Sequence, residues 1–487
     1  MKEVLTPLEM RCVDKNTEYN KLPTLVLMEN AGSQIASYII ENYPDKKKVS
    51  LYAGTGGNGG DAFVAARHLL NHDYRIHLVL LSRPENIKNK DSILNWNVIE
   101  HISKADGNIR ISIITDSTQL KPDNSDIIVD AILGTGINGK LRQPVSKAID
   151  IINYSPAIRL SVDVPSGLNP LTGEVFDKCV VAHKTLTLHK KKTGLLDAQS
   201  SYVGDVVVLD IGIPRVSEKY VGEGDLLKIP KVNVNSHKGQ NGSVLIVGSN
   251  KDYVGAVIFA AESALKSGID LVYIVAPKSS ADIIKSYNPE FIVRKVDGDV
   301  LSLDCYDDVC ELSKRVDSIL IGSGAGLDDT TAELYNKMVN DIDKPIIIDA
   351  DALKLVDKEK IIKANTILTP HHAEFEKFFS IKLPSDFDEK IGILRKLSIE
   401  YNTTIVLKAK TDIIVNSDDY KLNDTGNAGM TVGGTGDILA GMITAYSTKM
   451  NLFDSACIST FIIGQVADKL LDEKGYSYTS NDILEKI

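Results

Sequence analysis

Short apolar segments alternate with longer amphipathic segments along almost the whole chain, and this alternation restricts the fold more than any other feature. In the first half, segments that predict strands lie at residues 49–53, 76–81, 111–114, 127–129, 158–162, 184–188 and 205–209. Helical patterns accompany them, notably at residues 25–41 and 62–70. Such alternation predicts a mostly parallel sheet with helices on both faces.

The same alternation returns after a break. Residues 211–240 are rich in turn formers and keep no sustained period, which predicts a linker or an edge strand between domains. Strands are then predicted at residues 243–247, 271–275, 318–321, 346–348, 366–368 and 404–407, with helices at 256–266 and 330–338 among them. A chain of 487 residues is also too long for one ordinary core. We therefore expect two three-layer α/β/α domains, residues 1–215 and 216–487.

Composition excludes several classes of protein. The net charge of −10 disfavours general nucleic-acid binding, and the lysine runs at residues 46–48 and 190–192 are interpreted as solvated surface. Five scattered cysteines without paired spacing argue against a disulfide framework or a thiolate metal site. No apolar run is long enough to span a membrane, and residues 1–6 do not resemble a signal peptide. The expectation is a cytoplasmic protein that binds neither membranes nor nucleic acid.

The segment at residues 425–441, TGNAGMTVGGTGDILAG, places six glycines around Asp437 and leads into an apolar helix. Unobstructed backbone N–H groups and a positive helix end favour an anion, so the segment predicts a phosphate site. Asp437 falls in the first helical turn, where the helix dipole favours a carboxylate, and is a candidate base. A glycine-rich turn by itself is more often structural.

Further polar groups follow other strands of the second half. Lys408 and Lys410 are candidates to contact phosphate, and the absence of a GxxxxGK[ST] sequence excludes a P-loop enzyme. Together with Asp437 they predict a nucleotide site that carries out phosphoryl transfer. His371 is either a ligand-binding residue or, like Thr369, the cap of a helix starting near residue 373.

Three loops of the first half follow predicted strands: GTGGNGGD at residues 54–61, with a helix opening at Ala62, then the loops opened by Asp130 and Asp163. Residues 54–59 have GxGxxG spacing, but no acidic residue ends a second strand about 20 positions later, so ordinary dinucleotide binding is weakly supported. Strand ends of one sheet share an edge, where gathered oxygens could hold a hard cation and Asp163 could move a proton. The structural alternative is that these side chains cap turns and helices.

These motifs resemble those of one enzyme family. GGNGGDAFVAARHL (residues 56–69), DAILGTG (130–136) and DVPSGLN (163–169) resemble the NAD(P)HX epimerase domain, which is Rossmann-like. HKGQNGSVLIVGS (237–249), GSGAG (322–326), DADAL (349–353), LTPHHAEF (368–375) and TGNAGMTVGGTGD (425–437) resemble the ribokinase-like ADP/ATP-dependent NAD(P)H-hydrate dehydratase. In this order, over almost the full length, they resemble the bifunctional NAD(P)H-hydrate repair enzymes.

The resemblance implies that the first domain interconverts R and S epimers of NADHX and NADPHX, the hydrated forms of the reduced nicotinamide cofactors. Asp163 would be the catalytic proton carrier, and K⁺ would be held by Asn58, Asp130 and Ser166. The implied substrate contacts are Gly57, Asn58, Gly59, Gly60, Asp61, Gly134, Thr135, Gly136, Ile137, Asn138, Gly139, Lys140 and Asp163.

The resemblance implies that the second domain dehydrates the S epimer, converting ADP to AMP and phosphate, or using ATP as in some relatives. Asp437 would be the catalytic base. The implied NAD(P)HX contacts are Ala256, Gly326, His371 and Asp437, and the nucleotide contacts are Lys408, Ala409, Lys410, Thr411, Asp412, Gly434, Thr435 and Gly436. The sequence does not decide whether Mg²⁺ accompanies the nucleotide. A homo-oligomer is expected.

Several small residues depart from the usual family pattern, and Ala409 is the departure that matters most. Glycine is common at this position, and an alanine restricts the backbone φ angle of the expected nucleotide loop. An alternative interpretation of the whole chain is a ribokinase-like small-molecule kinase with a non-catalytic N-terminal binding domain. That kinase would accumulate a phosphorylated product, whereas a repair enzyme would release NAD(P)H.

Overall fold

The structure is a computed structural model that describes residues 2–134, 140–363 and 365–487. The chain divides into two compact units, residues 2–217 and residues 218–487. The division falls two residues after the predicted boundary at residue 215.

Parallel strands form the centre of the first unit. Its strands are β1 (Val4–Leu5), β2 (Lys48–Ala53), β3 (Arg75–Leu80), β4 (Ile109–Ile113), β5 (Ile127–Ala131), β6 (Ile158–Val162), β7 (Lys184–Leu188), β8 (Lys191–Lys192) and β9 (Asp205–Leu209). Within the described residues, seven of them form a parallel sheet in the order β4-β3-β2-β5-β6-β7-β9. The two shortest strands, β1 and β8, pair with each other in parallel.

Helices cover both faces of this sheet. The helices are α1 (Pro7–Tyr19), α2 (Thr24–Asn42), α3 (Gly57–Leu70), α4 (Lys90–Ile102), α5 (Val145–Tyr154), α6 (Thr193–Asp197), α7 (Ser200–Val203) and α8 (Val216–Lys219), the last containing the division between units. One apolar core, with Ile35, Phe63 and Leu78, lies under α2 and α3. A second core, with Ile128, Ile149 and Ile152, lies under α5.

The second unit contains a larger, mixed sheet. Its strands are β10 (Ser243–Val247), β11 (Leu271–Pro277), β12 (Phe291–Val296), β13 (Ser318–Ile321), β14 (Ile346–Ile348), β15 (Thr366–Leu368), β16 (Thr403–Leu407), β17 (Asp412–Val415) and β18 (Tyr420–Asn423). In the part of the chain that the structure describes, the order is β12-β11-β10-β13-β14-β15-β16-β17-β18. All neighbours are parallel except the pairs β16–β17 and β17–β18.

The helices of the second unit pack on both faces of the mixed sheet. They are α9 (Gly255–Lys266), α10 (Lys278–Tyr287), α11 (Tyr306–Ser313), α12 (Asp329–Asp341), α13 (Ala352–Leu355), α14 (His372–Phe379), α15 (Phe387–Glu400), α16 (Thr435–Tyr446), α17 (Leu452–Lys474) and α18 (Ser480–Lys486). The expected fold class, two three-layer α/β/α domains, is therefore confirmed. None of the described helices combines the length and apolar character that a bilayer crossing needs.

Both parallel sheets contain a point where the strand order reverses. In the first unit β2 lies between β3 and β5, and in the second β10 lies between β11 and β13. At such a point the connections that leave two neighbouring strands pass to opposite faces of the sheet. This leaves a crevice beyond the carboxyl ends of the strands. Residues 54–61 follow β2, and residues 248–254 follow β10, so both segments border a crevice.

The predicted linker lies against the edge of the larger sheet. The Val221 N–H donates a hydrogen bond to the Leu422 carbonyl at 2.8 Å, next to a parallel bridge between Tyr220 and Leu422. Asp225, which is 1% exposed, forms an ion pair with Lys421 on β18. Residues 220–225 thus continue the sheet beyond β18.

Candidate active sites

Helix α3 begins directly after the first glycine loop. The prediction that this helix opens at Ala62 is wrong, because α3 starts at Gly57 and includes the second half of the loop. The backbone of Gly59 passes so close to the end of β2 that an added Cβ would lie 2.1 Å from the Gly54 carbonyl oxygen. Only glycine permits this approach, which brings the N-terminal turn of α3 to the crevice beside β2.

Asn58, Asp130 and Ser166 come together at this crevice. Asp130 is buried and accepts hydrogen bonds from the Ser166 hydroxyl at 2.6 Å and the Ser166 N–H at 2.8 Å. The Asn58 amide donates to the Val162 carbonyl at 2.9 Å, at the end of β6. Burial raises the pKa of Asp130, although hydrogen bonds from Ser166 oppose the rise. Residues at or just beyond the carboxyl ends of three strands, β2, β5 and β6, thus form one polar cluster.

This cluster fits the K⁺ ion that the sequence resemblance implies. Asn58 contributes an amide oxygen, Ser166 a hydroxyl oxygen and Asp130 one carboxylate, all of them hard ligands. No group of three or more His, Cys, Asp or Glu side chains in the described ranges could hold a metal ion. A monovalent cation suits a donor set with a single carboxylate.

Asp163 occupies an unusual backbone position at the end of β6. Its φ angle is +65°, and its N–H donates to the Leu186 carbonyl at 2.8 Å. One carboxylate oxygen, Oδ1, accepts hydrogen bonds from the Leu188 N–H at 3.1 Å and from the Lys192 ammonium group. The prediction that residues 190–192 are solvated surface is wrong for Lys192, which is only 1% exposed.

Two other carboxyl groups share the electrostatic environment of Asp163. Burial raises the pKa of Asp61, which is on α3, well above its usual range, and the charges of Asp163 and Asp14 add to the rise. Burial also raises the pKa of Asp14, on α1, to about 6. Lys192 opposes both rises. Asp61, whose protonated form is favoured by burial, therefore shares the crevice with the ion pair of Asp163 and Lys192.

Gly134 and Lys140 are the described residues of the second predicted substrate loop. Gly134 lies against Asn58, because an added Cβ would meet the Asn58 amide oxygen at 2.6 Å. Lys140 lines a cavity of about 600 Å³ together with Arg83 and Arg142. Thr135, Gly136, Ile137, Asn138 and Gly139 lie outside the described residues.

Asp437 lies in the first turn of α16, as predicted, and faces a cavity of about 730 Å³. Gly434 precedes the helix with a φ angle of +101°, a conformation that favours glycine. Four of the predicted site residues line this cavity: Ala256, Gly326, Gly434 and Asp437. The cavity lies in the crevice beyond β10 and β13, as the reversal of strand order predicts.

The environment of Asp437 suits a base. Burial raises its pKa to about 7, and the neighbouring charge of Asp349 adds to the rise. The Ser323 hydroxyl and the Lys408 ammonium group oppose it. A carboxyl with a pKa near the pH of the cell can take up and release a proton readily.

Lys408 lies at the end of β16, beside the Asp437 carboxylate. Its ammonium group lies 3.0 Å from Asp349 Oδ1, which also accepts a hydrogen bond from the Thr369 hydroxyl at 2.6 Å. Burial disfavours the charge on Lys408, yet Asp349 outweighs this effect and the pKa of Lys408 is raised. Lys408 is therefore a fixed positive charge, whereas Lys410 is exposed.

His371 caps helix α14, as one of the two sequence interpretations predicts. Its Nδ1 accepts hydrogen bonds from the N–H groups of Ala373 at 3.2 Å and Glu374 at 3.3 Å, while its side chain stays 55% exposed. A backbone bridge joins His371 to Lys408. Among the described residues, neither is part of the lining of the 730 Å³ cavity. The substrate contact of His371 remains a prediction.

The expected nucleotide loop forms a tight turn between β16 and β17. The Ala409 N–H donates to Asp412 Oδ1 at 3.0 Å, and burial raises the pKa of Asp412. Ala409 has no positive φ angle, so its Cβ causes no backbone strain. Lys410 and Thr411 lie between these residues, and Thr435 and Gly436 form the first turn of α16.

Sequence reasoning missed the side chains that hold the long glycine segment. Asp468, on α17, accepts hydrogen bonds from the Gly426 N–H at 2.9 Å and from Asn427 at 3.1 Å. Tyr478 donates to the same Asn427 at 2.7 Å, and Ser480 donates to the Gly433 carbonyl at 2.7 Å. The only sequence signal was their position in the apolar helix and the polar C-terminal segment that follow the loop.

Comparison with known proteins gives two family matches. A family model described as "YjeF-related protein N-terminus" matches residues 24–194, and one described as "NAD(P)H-hydrate dehydratase" matches residues 244–487. Among solved structures, the ADP/ATP-dependent NAD(P)H-hydrate dehydratase of Bacillus subtilis, crystallised with ATP and Mg²⁺, is 25% identical. The match covers 55% of this chain and 96% of that one, with a TM-score of 0.49.

Full-length relatives match both halves together. The bifunctional NAD(P)H-hydrate repair enzyme of Methanothermobacter thermautotrophicus is 42% identical over 99% of this chain and 94% of its own length. The enzyme of the same name from Methanocaldococcus jannaschii is 39% identical over 100% of this chain and 93% of its own length. The chain therefore belongs to the family of bifunctional NAD(P)H-hydrate repair enzymes and carries both of its enzyme domains.

Proposed function

We propose that the first unit interconverts R- and S-NAD(P)HX and that the second dehydrates S-NAD(P)HX to NAD(P)H while ADP is converted to AMP and phosphate. The observation that carries the proposal is Asp437, a carboxyl with a pKa of about 7 at the start of α16, beside a 730 Å³ cavity and a glycine turn. Hydroxide is a poor leaving group, whereas phosphate is a good one. Phosphorylation of the ring hydroxyl therefore prepares it for elimination.

In the second unit, Asp437 takes the proton of the ring hydroxyl while that oxygen attacks the terminal phosphorus of ADP. The N–H groups at Gly434, Thr435 and Gly436 and the charge of Lys408 stabilise the transferring phosphoryl group. The carbon–oxygen bond then breaks, phosphate leaves, and a proton lost from the neighbouring ring carbon restores the dihydronicotinamide. Ala256 and Gly326 provide the surface against which the substrate packs.

In the first unit, Asp163 exchanges a proton with the hydrated ring. Asn58, Asp130 and Ser166 would hold K⁺, which would supply one positive charge beside the substrate. The start of α3 offers backbone N–H groups of residues 57–59 to substrate phosphates. Lys140 provides a positive charge beside the same substrate.

One experiment tests both activities. Purified protein is mixed with R- and S-NADHX plus ADP, then ATP, and recovery of NADH is followed by its absorbance. The S epimer should give a fast phase, and the R epimer a second phase limited by epimerisation. If neither nucleotide restores NADH, the dehydratase assignment is wrong. An R phase no faster than spontaneous epimerisation overturns the epimerase assignment.

The same experiment separates the rival function. A ribokinase-like small-molecule kinase would accumulate a phosphorylated product without recovery of NADH, which mass spectrometry would detect. Light scattering on the purified protein tests the proposed homo-oligomer, since a mass of 53.1 kDa would mean a monomer.

A further inference from the structure

Lys192 is buried although it belongs to a run of three lysines. Its side chain is 1% exposed, and its backbone lies in β8, which pairs with β1 so that Leu5 is the partner of Lys192. A fully buried lysine is rare unless its charge is paired. The N-terminal strand therefore helps to fix a charge inside the first unit.

The ammonium group of Lys192 is saturated with hydrogen bonds. It donates to Asp163 Oδ1, to the Leu188 carbonyl at 2.8 Å and to the Thr187 hydroxyl at 3.4 Å. An ammonium group has three N–H donors, and three acceptors surround this one. Such a group is charged and has one orientation.

The contacts of Asp163 are unequal between its two oxygens. Oδ1 accepts from Lys192, from the Leu188 N–H at 3.1 Å and from the Thr187 hydroxyl at 3.3 Å. No hydrogen bond reaches Oδ2 from any residue in the described ranges. One oxygen is thus held in place while the other is available to a ligand.

Other titratable groups face this ion pair from neighbouring elements. Asp14 lies on α1, Asp61 on α3, and His189 between β7 and β8. Lys192 interacts with both carboxyl groups, and His189 interacts with Asp14. Lys192 is therefore the buried cation shared by three acidic side chains, and of these three Asp163 is the one that accepts a hydrogen bond from it.

We propose that Lys192 is a positioning residue of the epimerase reaction: it fixes Oδ1 of Asp163 and leaves Oδ2 to exchange a proton with the hydrated ring. The inference rests on the proposed function of the first unit. It assigns to Lys192 a role in the orientation of Asp163, without contact between Lys192 and the substrate.

The test compares Lys192→Met, Lys192→Arg and the control Lys191→Met in the full chain, with a mixture of R- and S-NADHX and ADP. Lys192→Met should slow the R phase by about 100-fold or more, mainly through kcat. The KM for R-NADHX should change little, because Lys192 does not contact the substrate. Lys192→Arg should keep part of the wild-type rate, and Lys191→Met should match wild type.

The fast S phase serves as an internal control, because it depends on the second unit alone. An R phase in Lys192→Met equal to that of Lys191→Met overturns the inference, as does a loss of rate that lies in KM alone. If Lys192→Met does not fold, as judged by thermal unfolding, Lys192→Arg decides: a wild-type rate would overturn the inference. Failure of the wild-type protein itself to convert R-NADHX would instead contradict the proposed function.

Discussion

The Lys408 ammonium group opposes the rise in pKa that burial imposes on Asp437. Lys408 is in turn held by Asp349, at a distance of 3.0 Å. The proposed base and the proposed phosphate ligand are therefore coupled, so that a change in one alters the ionisation of the other.

We expect the dehydratase reaction to depend on the ionisation of Asp437. Its pKa is raised to about 7, and the base must be deprotonated to act. With S-NADHX as substrate, kcat/KM should therefore fall as the pH drops through about 7 and level off above it. Asp437→Asn should abolish NADH recovery at every pH, and substantial activity in this variant would exclude Asp437 as the base.

Replacement of Lys408 should move this pH profile. Lys408→Met removes a charge that lowers the pKa of Asp437, so the acidic limb of kcat/KM should shift to higher pH, with a higher KM for the nucleotide. Lys410→Met is the matched control, since Lys410 is an exposed lysine of the same loop. Equal behaviour of the two variants would argue against a role for Lys408.

Asp61 and Asp163 should respond differently to the same substitution. Burial raises the pKa of Asp61 well above its usual range, which favours the protonated form of this side chain. Because asparagine has the shape of a protonated aspartate, we expect Asp61→Asn to keep most of the R phase, whereas Asp163→Asn should reduce it to the spontaneous rate. The rate of the S phase in both variants checks that the second unit is intact. The reverse order of activities would contradict these roles.

The epimerase phase should require K⁺. Exchange of potassium for choline at constant ionic strength should slow the R phase and leave the S phase unchanged, because the proposed cation ligands all belong to the first unit. Ser166→Ala removes a hydroxyl that donates to Asp130 at 2.6 Å and should raise the K⁺ concentration needed for half-maximal rate. An R phase that is indifferent to the cation would exclude K⁺ as a cofactor.

Gly441 should be essential to the packing of α16 on α9. A Cβ added at Gly441 would lie 2.1 Å from the Ala260 carbonyl oxygen, so Gly441→Ala should lower the free energy of unfolding by about 1–3 kcal/mol. Gly392→Ala is the control, because nothing lies within 4 Å of that position on the exposed face of α15. Alanine there should stabilise the helix by about 0.5–1 kcal/mol. Denaturant unfolding measures both changes.

The sequence predicted the seven strands of the first sheet and the central parallel strands of the second, and it missed β1, β8, β12, β17 and β18. A central parallel strand such as β10 is a continuous apolar run and is easy to recognise. Strand β12 is an edge strand that contains Arg294 and Lys295, and the antiparallel strands β17 and β18 carry polar side chains. These segments form strands because of the strands beside them in the sheet. The periodicity of apolar residues along the chain does not reveal those neighbours.

The candidate sites show the same division. The convergence of Asn58, Asp130 and Ser166, and the place of Asp437 in a helical turn, follow from the rule that strand ends share an edge. The burial of Lys192 could not be predicted, because three consecutive lysines indicate surface. It results from pairing with Leu5, which lies nearly two hundred residues earlier in the chain. The glycine requirement at Gly59 likewise arises from the close approach of Gly54.

The hydrogen bond from Val221 to Leu422 has a consequence for solubility. An uncovered outermost strand offers its backbone to other molecules and promotes aggregation, and here residues 220–225 shield β18 from such pairing. A shortened protein that begins at Glu218 would retain this shield, whereas one that begins at residue 230 would expose Leu422. The segment that connects the two enzyme domains is thus also a guard against self-association of the second.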